Sequence, residues 1–560
     1  MADYVATAPA PVRPAVVTAR PAAVRGWVQW IPLLIILSGQ ALLTARLIHV
    51  STASGDEGRY IYAGHQLIHE IFHGGGSPYY ETYFSGAPVI YPVLAAMADH
   101  VGGIVAVRLM SMSFMLTATG LLYGAGKRLF GFWPGVAAAG LFAGLGLTED
   151  LGALATHDAL ALMLTAVAAY CAVRTSEDDS HPSRWLILVP VTLLLANAAK
   201  YATLVFDPVV IGIAALQVLP EGWRRVLTRF VALGVTTVVA LGLAAFLAGR
   251  AYINGFLFST LDRKGGSWAV FSAVRVAPRT IVGDTVEWVG LVLLLGGLAF
   301  LLSLTIREDR RRCGLLLGLL VFAGLLVTIE SLHLHTVESM RKHDDIGVWF
   351  TCMAAGYLLA RPSALVRGKV PKVALGLLIP IAIVGSGYHY SKLARSTYEA
   401  GTSALRRTAF GDLKHFLEVP GGRYLIGGLD NEQLVYSDHL SIPWWRLYDD
   451  VYIKYPIPGR GGDIHGEAQG PVCEQLNQNK SYCMYLEGVA GWRAAIHAHF
   501  FALVSMLGEH NSKQDLEIEA IVNSTPGYKQ YTDVGGAPTW LYIPAYRKAH
   551  IPLPGVTVAR

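Results

Sequence analysis

Apolar residues in this chain gather in long unbroken runs rather than in the amphipathic stripes of a water-soluble core. Windowed hydropathy gives about eleven runs close to the length that crosses a bilayer. They fall at 28–49, 104–126, 132–148, 155–173, 184–199, 201–219, 227–249, 287–306, 313–333, 346–360 and 371–388. The fifth and sixth are nearly continuous and require a sharp turn near Asn197–Tyr201. The pattern predicts a polytopic α-helical membrane domain over 27–390, after an Ala/Pro-rich tail, 1–26, expected to be disordered and cytoplasmic. Residues 391–560 have the make-up of a soluble unit. There Tyr424–Gly428, Gln433–Tyr436 and Thr539–Ile543 read as strands, and Ala404–Leu417 and Gly491–Leu507 as helices. That alternation predicts a small α/β domain.

Composition agrees with a membrane location. Of 560 residues, 53% are hydrophobic and only 15% charged, where soluble chains carry about a quarter charged residues. The formal net charge of +5 resides largely in short loops between apolar runs, which argues for topology and against a nucleic-acid partner. With the N-terminus inside, the loops holding Lys127–Arg128, Arg174 and Arg184, Arg224–Arg225, Arg310–Arg312, and Arg367 with Lys369 all fall on the cytoplasmic side. An odd number of spans then puts the C-terminal domain outside, in a multi-pass protein of the plasma (inner) membrane. The outside loop 250–286 breaks the usual bias with Arg250, Arg263, Lys264, Arg275 and Arg279, a surplus that suits an anionic ligand.

The remaining loops outside concentrate the candidate chemistry. Asp56 and Glu57 follow the first span, on a segment, Glu57–Phe72, with a helical look. Asp150, His157 and Asp158 lie between the third and fourth spans, Lys200 follows the fifth, and Arg341, Lys342 and His343 follow the ninth. Carboxylates and cations at membrane depth are costly and mark function. Gathered at one face, they suit transfer from a lipid-phosphate sugar. Lys200 with Arg341, Lys342 and His343 would hold the phosphate leaving group as charge develops on it. Asp56, with Glu57, would orient or deprotonate the attacking hydroxyl, and His157–Asp158 would form a second acidic site. Asp158 has a second reading, as a cap for the fourth span.

Six segments in order resemble the GT-C glycosyltransferases, closest to the branch of protein O-mannosyltransferases and lipid A aminoarabinose transferases. Gly55-Asp56-Glu57-Gly58-Arg59-Tyr60 resembles the Asp-Glu motif after the first span. Tyr91-Pro92-Val93-Leu94 resembles a Pro-Pro-Leu segment, with one proline in place of two, and Val107-Arg108-Leu109 an Arg-Leu start of the second span. Lys127-Arg128-Leu129-Phe130-Gly131 resembles the cytoplasmic end of that helix, Thr156-His157-Asp158-Ala159-Leu160 the second acidic motif, and Ala199-Lys200 the phosphate-side lysine. Arg341-Lys342-His343 matches the late basic motif only loosely. The resemblance implies a polyprenyl-phosphate monosaccharide donor, a glycan, lipid or protein acceptor, and an inverting single displacement. Dependence on a divalent metal varies within the superfamily.

Other features carry blander and sharper readings side by side. His65, His69 and His73 recur every four residues, either as a polar helix face or as zinc ligands with Glu57 or Glu70. Cys473 and Cys483 would close a small disulfide loop if their region faces an oxidising space. Trp444, Trp445, Tyr448 and Tyr452 suit a core better than a sugar platform. The rival functions are a flippase for a lipid-linked saccharide and an inactive GT-C-like assembly subunit. The flippase predicts internal repeats and charges near mid-membrane, neither of which the chain displays.

Overall fold

The structure is a computed structural model. It describes residues 28–49, 53–73, 80, 84–175, 182–260, 276–305, 310–335, 337, 340–365, 392, 413–427, 446–448, 453–457, 465–466, 485–506, 513–531 and 538–553. The tail 1–26, the run 371–388, Arg263, Lys264, Arg275, Trp444, Trp445, Tyr452, Gln433–Tyr436 and both Cys473 and Cys483 lie outside the described residues.

Helices occupy the other ten expected spans. In chain order they are α1 (Ile31–Ile48), α2 (Gly55–His73), α3 (Tyr91–Phe130), α4 (Phe132–Ala143), α5 (Gly146–Ala153), α6 (His157–Arg174), α7 (Pro182–Ala199), α8 (Asp207–Leu216), α9 (Trp223–Ala248), α10 (Arg250–Thr260), α11 (Pro278–Thr305), α12 (Arg310–Leu334) and α13 (Met340–Leu365). Among the described residues, six helices are each long and apolar enough to cross a membrane, and α4 with α5, bent by 63°, makes a seventh. The expected count of eleven spans is therefore not established among the described residues. Non-helical Gly102 and Gly103 break α3, separating a short first segment from the membrane-crossing remainder.

Between helices in lipid, close packing replaces the hydrophobic drive, so small residues sit at the contacts. Helix α13 packs against α4, α11 and α12. At Gly356 a methyl group would fall 2.5 Å from the Pro134 carbonyl oxygen, so only glycine lets α13 approach α4 there. Trp349, fully buried on α13, donates its indole N–H to the Ala118 carbonyl at 3.0 Å, fixing α13 against α3. The start of α13 is thereby held at the charged end of the bundle.

The C-terminal region forms a mixed five-stranded sheet, order β2-β1-β6-β8-β7, from β1 (Tyr424–Gly427), β2 (Leu447–Tyr448), β6 (Leu503–Met506), β7 (Tyr528–Tyr531) and β8 (Thr539–Tyr542). Strands β3 (Ile453–Pro456), β4 (His465–Gly466) and β5 (Tyr485–Glu487) make a second, antiparallel sheet. The expected helix over Gly491–Leu507 is corrected: α14 spans Gly488–His497, and residues 503–506 are the central strand β6. His499, at φ 53, and Phe500, whose N–H bonds back to the Ala495 carbonyl, close the helix. Tyr448 lies in the core against Phe500 and Phe501, as the core reading expects. From the membrane region, Tyr62 on α2 packs against the apolar cluster that holds Tyr424, Leu503 and Leu541 of this sheet, so the helix carrying Asp56 contacts this domain.

Candidate active site

Five chain segments bring the predicted charges to one end of the bundle: the start of α2, the turn before α6, the loop at Ser85, the end of α7 and the start of α13. Glu57 is fully buried and anchors the arrangement. Arg108 of α3 grips it with a fork, Nε to Oε1 and Nη2 to Oε2, each at 2.8 Å. The backbone N–H of Ala155 donates to Oε1 and that of Ser54 to Oε2, again at 2.8 Å. Arg108 Nη1 also reaches the Ile48 carbonyl at 2.6 Å. One ion pair thus joins the ends of α1, α2 and α3 to the turn that precedes His157. A carboxylate has about four lone-pair sites, and here all four are filled. Glu57, expected beside Asp56 in the chemistry, is thus a buried carboxylate met by four donors in this structure.

Asp56, the neighbouring residue, has a different environment. Its carboxylate meets the Lys342 ammonium at 2.5 Å. That ammonium holds the Asp56 carboxyl down to about 2 from the ordinary 3.8, against the opposing effect of burial. Asp56 keeps 42% of its side chain exposed, so the pair is open to a ligand rather than sealed. The second pair, Lys200 with Asp158, is buried. Asp158 stands in the first turn of α6, and no side chain caps that helix by a hydrogen bond. From that place in the first turn it pairs with the Lys200 ammonium. Its charge also acts on Asp56, so the two pairs belong to one electrostatic cluster.

Lys200 owes its position to a break in the backbone. Between α7 and a 3-10 turn, Tyr201–Phe206, its backbone is extended. The Ser85–Ala87 loop lies alongside: the Tyr201 N–H donates to the Ser85 carbonyl at 2.8 Å and the Ala87 N–H to the Ala198 carbonyl at 2.7 Å. Ser85 Oγ is also 3.4 Å from His157 Nε2, and the His157 ring packs 4.7 Å from that of Tyr60. His157 is therefore a wall of the site tied to this loop. At Gly86 a methyl group would fall 2.2 Å from the Ala199 carbonyl oxygen. Gly86→Ala is expected to push the Lys200 turn away and cut turnover by roughly ten- to a hundredfold, as sub-ångström misplacement does. Steady-state kinetics checks this, and an unchanged kcat would detach the loop from Lys200.

The late basic motif divides. Lys342 faces Asp56, whereas Arg341 turns to Asp284 of α11 at 2.9 Å and lies over the Trp288 ring at 4.8 Å. His343 is half-buried on the same turn. The histidine row on α2 serves as a polar face: His65 bonds Asp99 at 2.7 Å, and His69 stacks on His73 at 4.6 Å. Among the described residues no group of three or more His, Cys, Asp or Glu is arranged to hold a metal ion. Asp56 and Asp158 are each matched by a lysine in this structure. Sequence reasoning named Arg108 only as part of a motif and missed its pairing with Glu57, and it missed Asp284 altogether. A lone arginine in the apolar run 104–126 was the available signal for the first, because such a charge requires a partner.

Residues 87–248 match the family model of dolichyl-phosphate-mannose-protein mannosyltransferase. No curated protein matches the chain in sequence. Among solved structures, it is similar to ArnT from Cupriavidus metallidurans bound to undecaprenyl phosphate, with TM-score 0.56 and 14% identity over 93% of this chain and 98% of that one. The oligosaccharyltransferase AglB from Archaeoglobus fulgidus, in complex with an inhibitory peptide and a dolichol-phosphate, gives TM-score 0.52 and 12% identity over 95% and 76%. The arabinofuranosyltransferase AftD from Mycobacteria gives TM-score 0.51 and 14% identity over 92% and 40%. At these identities the structural likeness is one of fold. The family match spans the segment that carries Arg108, Asp158 and Lys200, within a chain whose fold is similar to that of these membrane transferases.

Proposed function

We propose that the chain transfers a monosaccharide from a polyprenyl-phosphate donor to an acceptor hydroxyl of a glycan, lipid or protein on the outer face of the membrane. The acceptor oxygen attacks the anomeric carbon as the bond to phosphate breaks, giving inversion in a single displacement. The polyprenyl phosphate leaves with the bonding electrons, and Asp56 takes the hydroxyl proton. Glu57 positions Asp56 through its clamp on Arg108 and the Ala155 turn. Lys342 and Lys200 take up the developing phosphate charge, with Arg341 and His343 beside Lys342 on α13. The observation that carries this reading is the pairing of Asp56 with Lys342 beside Asp158 with Lys200. Each acid holds a cation that an arriving phosphate can recruit. Two of the similar structures carry polyprenyl phosphates, undecaprenyl phosphate with ArnT and a dolichol-phosphate with AglB, which supports the donor class.

The pair makes a pH prediction. With Lys342 present, the Asp56 carboxyl titrates at about 2, so it stays ionised through the acid range and the pair's stabilisation is lost only as pH falls toward that value. In Lys342→Ala the same carboxyl rises, so the acid limb of donor turnover moves to higher pH while donor KM increases. An acid limb at its wild-type position would remove the Asp56–Lys342 pair from the reaction.

A further inference from the structure

At the end of the bundle away from Asp56, α7 and α9 enclose a groove of about 790 Å³. It runs beside Leu186–Leu194 of α7 and Arg224–Ala240 of α9, whereas Lys200 follows the C-terminal end of α7. Its walls are apolar, from Leu186, Pro190 and Leu194 on α7 and Ala232 and Leu233 on α9. Pro190, inside α7, has no N–H for the helical ladder and its ring crowds the Leu186 carbonyl, which loosens the helix where the groove opens.

The mouth is basic. Arg224, Arg225 and Arg229 line it, with Glu221 the one acid among the lining residues. Glu221 is taken by Arg225 in an ion pair one helical turn apart. Arg229 reaches only neutral acceptors, Thr175 Oγ1 and the Ala214 carbonyl, both at 3.4 Å. Among the described residues neither Arg224 nor Arg229 has a carboxylate partner. From Arg229 to Ala240 the lining continues along α9 for eleven residues, roughly 16 Å at the helical rise. The ligand this shape selects has an anionic head at the basic level and a hydrocarbon tail beneath it. A free anion would leave the apolar trench unused, and a neutral zwitterionic lipid would leave the positive charge of the described lining residues unmatched.

We propose that this groove binds one acyl chain of an anionic phospholipid, whose headgroup phosphate is held by Arg224 and Arg229. The site is separate from the donor site and independent of the function proposed above. Native mass spectrometry of the delipidated full chain in detergent, titrated with phosphatidylglycerol or phosphatidylcholine, tests it. The first phosphatidylglycerol is expected to bind roughly thirtyfold more tightly than phosphatidylcholine, as two interfacial arginines warrant. Arg224→Gln/Arg229→Gln should lose that preference and keep its thermal stability. Ala232→Trp, which fills the groove and leaves both arginines, should weaken phosphatidylglycerol binding as well. Equal affinity for the two lipids in the wild type would overturn the proposal, as would a preference surviving either variant. Displacement of the lipid by inorganic phosphate would equally overturn it, by reducing the site to one for a simple anion.

Discussion

Arg108→Ala is expected to destabilise the protein by about 3–5 kcal/mol, the usual cost of removing one partner from a buried ion pair. The cost arises because Glu57 stays behind, fully buried, with two of its four hydrogen bonds gone. Arg108→Lys should recover little, since an ammonium cannot reproduce the fork to both carboxylate oxygens. The combination Glu57→Gln with Arg108→Met should be milder than Arg108→Ala alone, because no uncompensated charge remains. Thermal unfolding in detergent measures all three. A double variant no more stable than Arg108→Ala would show that packing around the arginine, and not charge compensation, sets the cost.

Asp56→Asn should leave the fold intact and lower transfer by on the order of 10²–10⁴-fold, the range associated with losing a positioned general base. The substitution keeps the shape of the side chain, removes its charge and frees Lys342. Two effects then oppose one another. The acceptor loses its proton acceptor, while the donor phosphate gains a lysine no longer engaged by a carboxylate. Donor affinity should therefore hold or improve as kcat falls. A variant that loses donor affinity but keeps kcat would assign Asp56 to binding instead. The paired prediction for Glu57 differs in kind, because Glu57→Gln should act on stability and on kcat together.

The membrane fold was legible because its signal is local: some twenty apolar residues in sequence suffice to propose a span, and ten such runs became helices. The candidate site was legible as an inventory and not as a set of pairs. Asp56 and Lys342 are 286 positions apart, and Asp158 and Lys200 are 42 apart, so only the fold reveals which acid holds which cation. Adjacent Asp56 and Glu57 look alike in sequence, yet one faces an open pair and the other fills a buried clamp. Helical geometry turns neighbouring residues to different directions, and the composition of the motif does not say which direction is the core. The central strand was misread for a related reason. Leu503, Val504, Ser505 and Met506 are all buried, so the alternation that marks a half-exposed strand is missing, and an apolar run beside a real helix reads as its continuation.

The central claim is that this chain moves a sugar from a polyprenyl phosphate using Asp56. The most direct test offers purified wild-type and folded Asp56→Asn protein a panel of radiolabelled polyprenyl-phosphate monosaccharides, with release of free polyprenyl phosphate as the readout. The account predicts turnover of at least one donor by the wild type, with inverted configuration in the product and near-complete loss in the variant. Equal turnover by the two proteins, or a retained configuration, would contradict it.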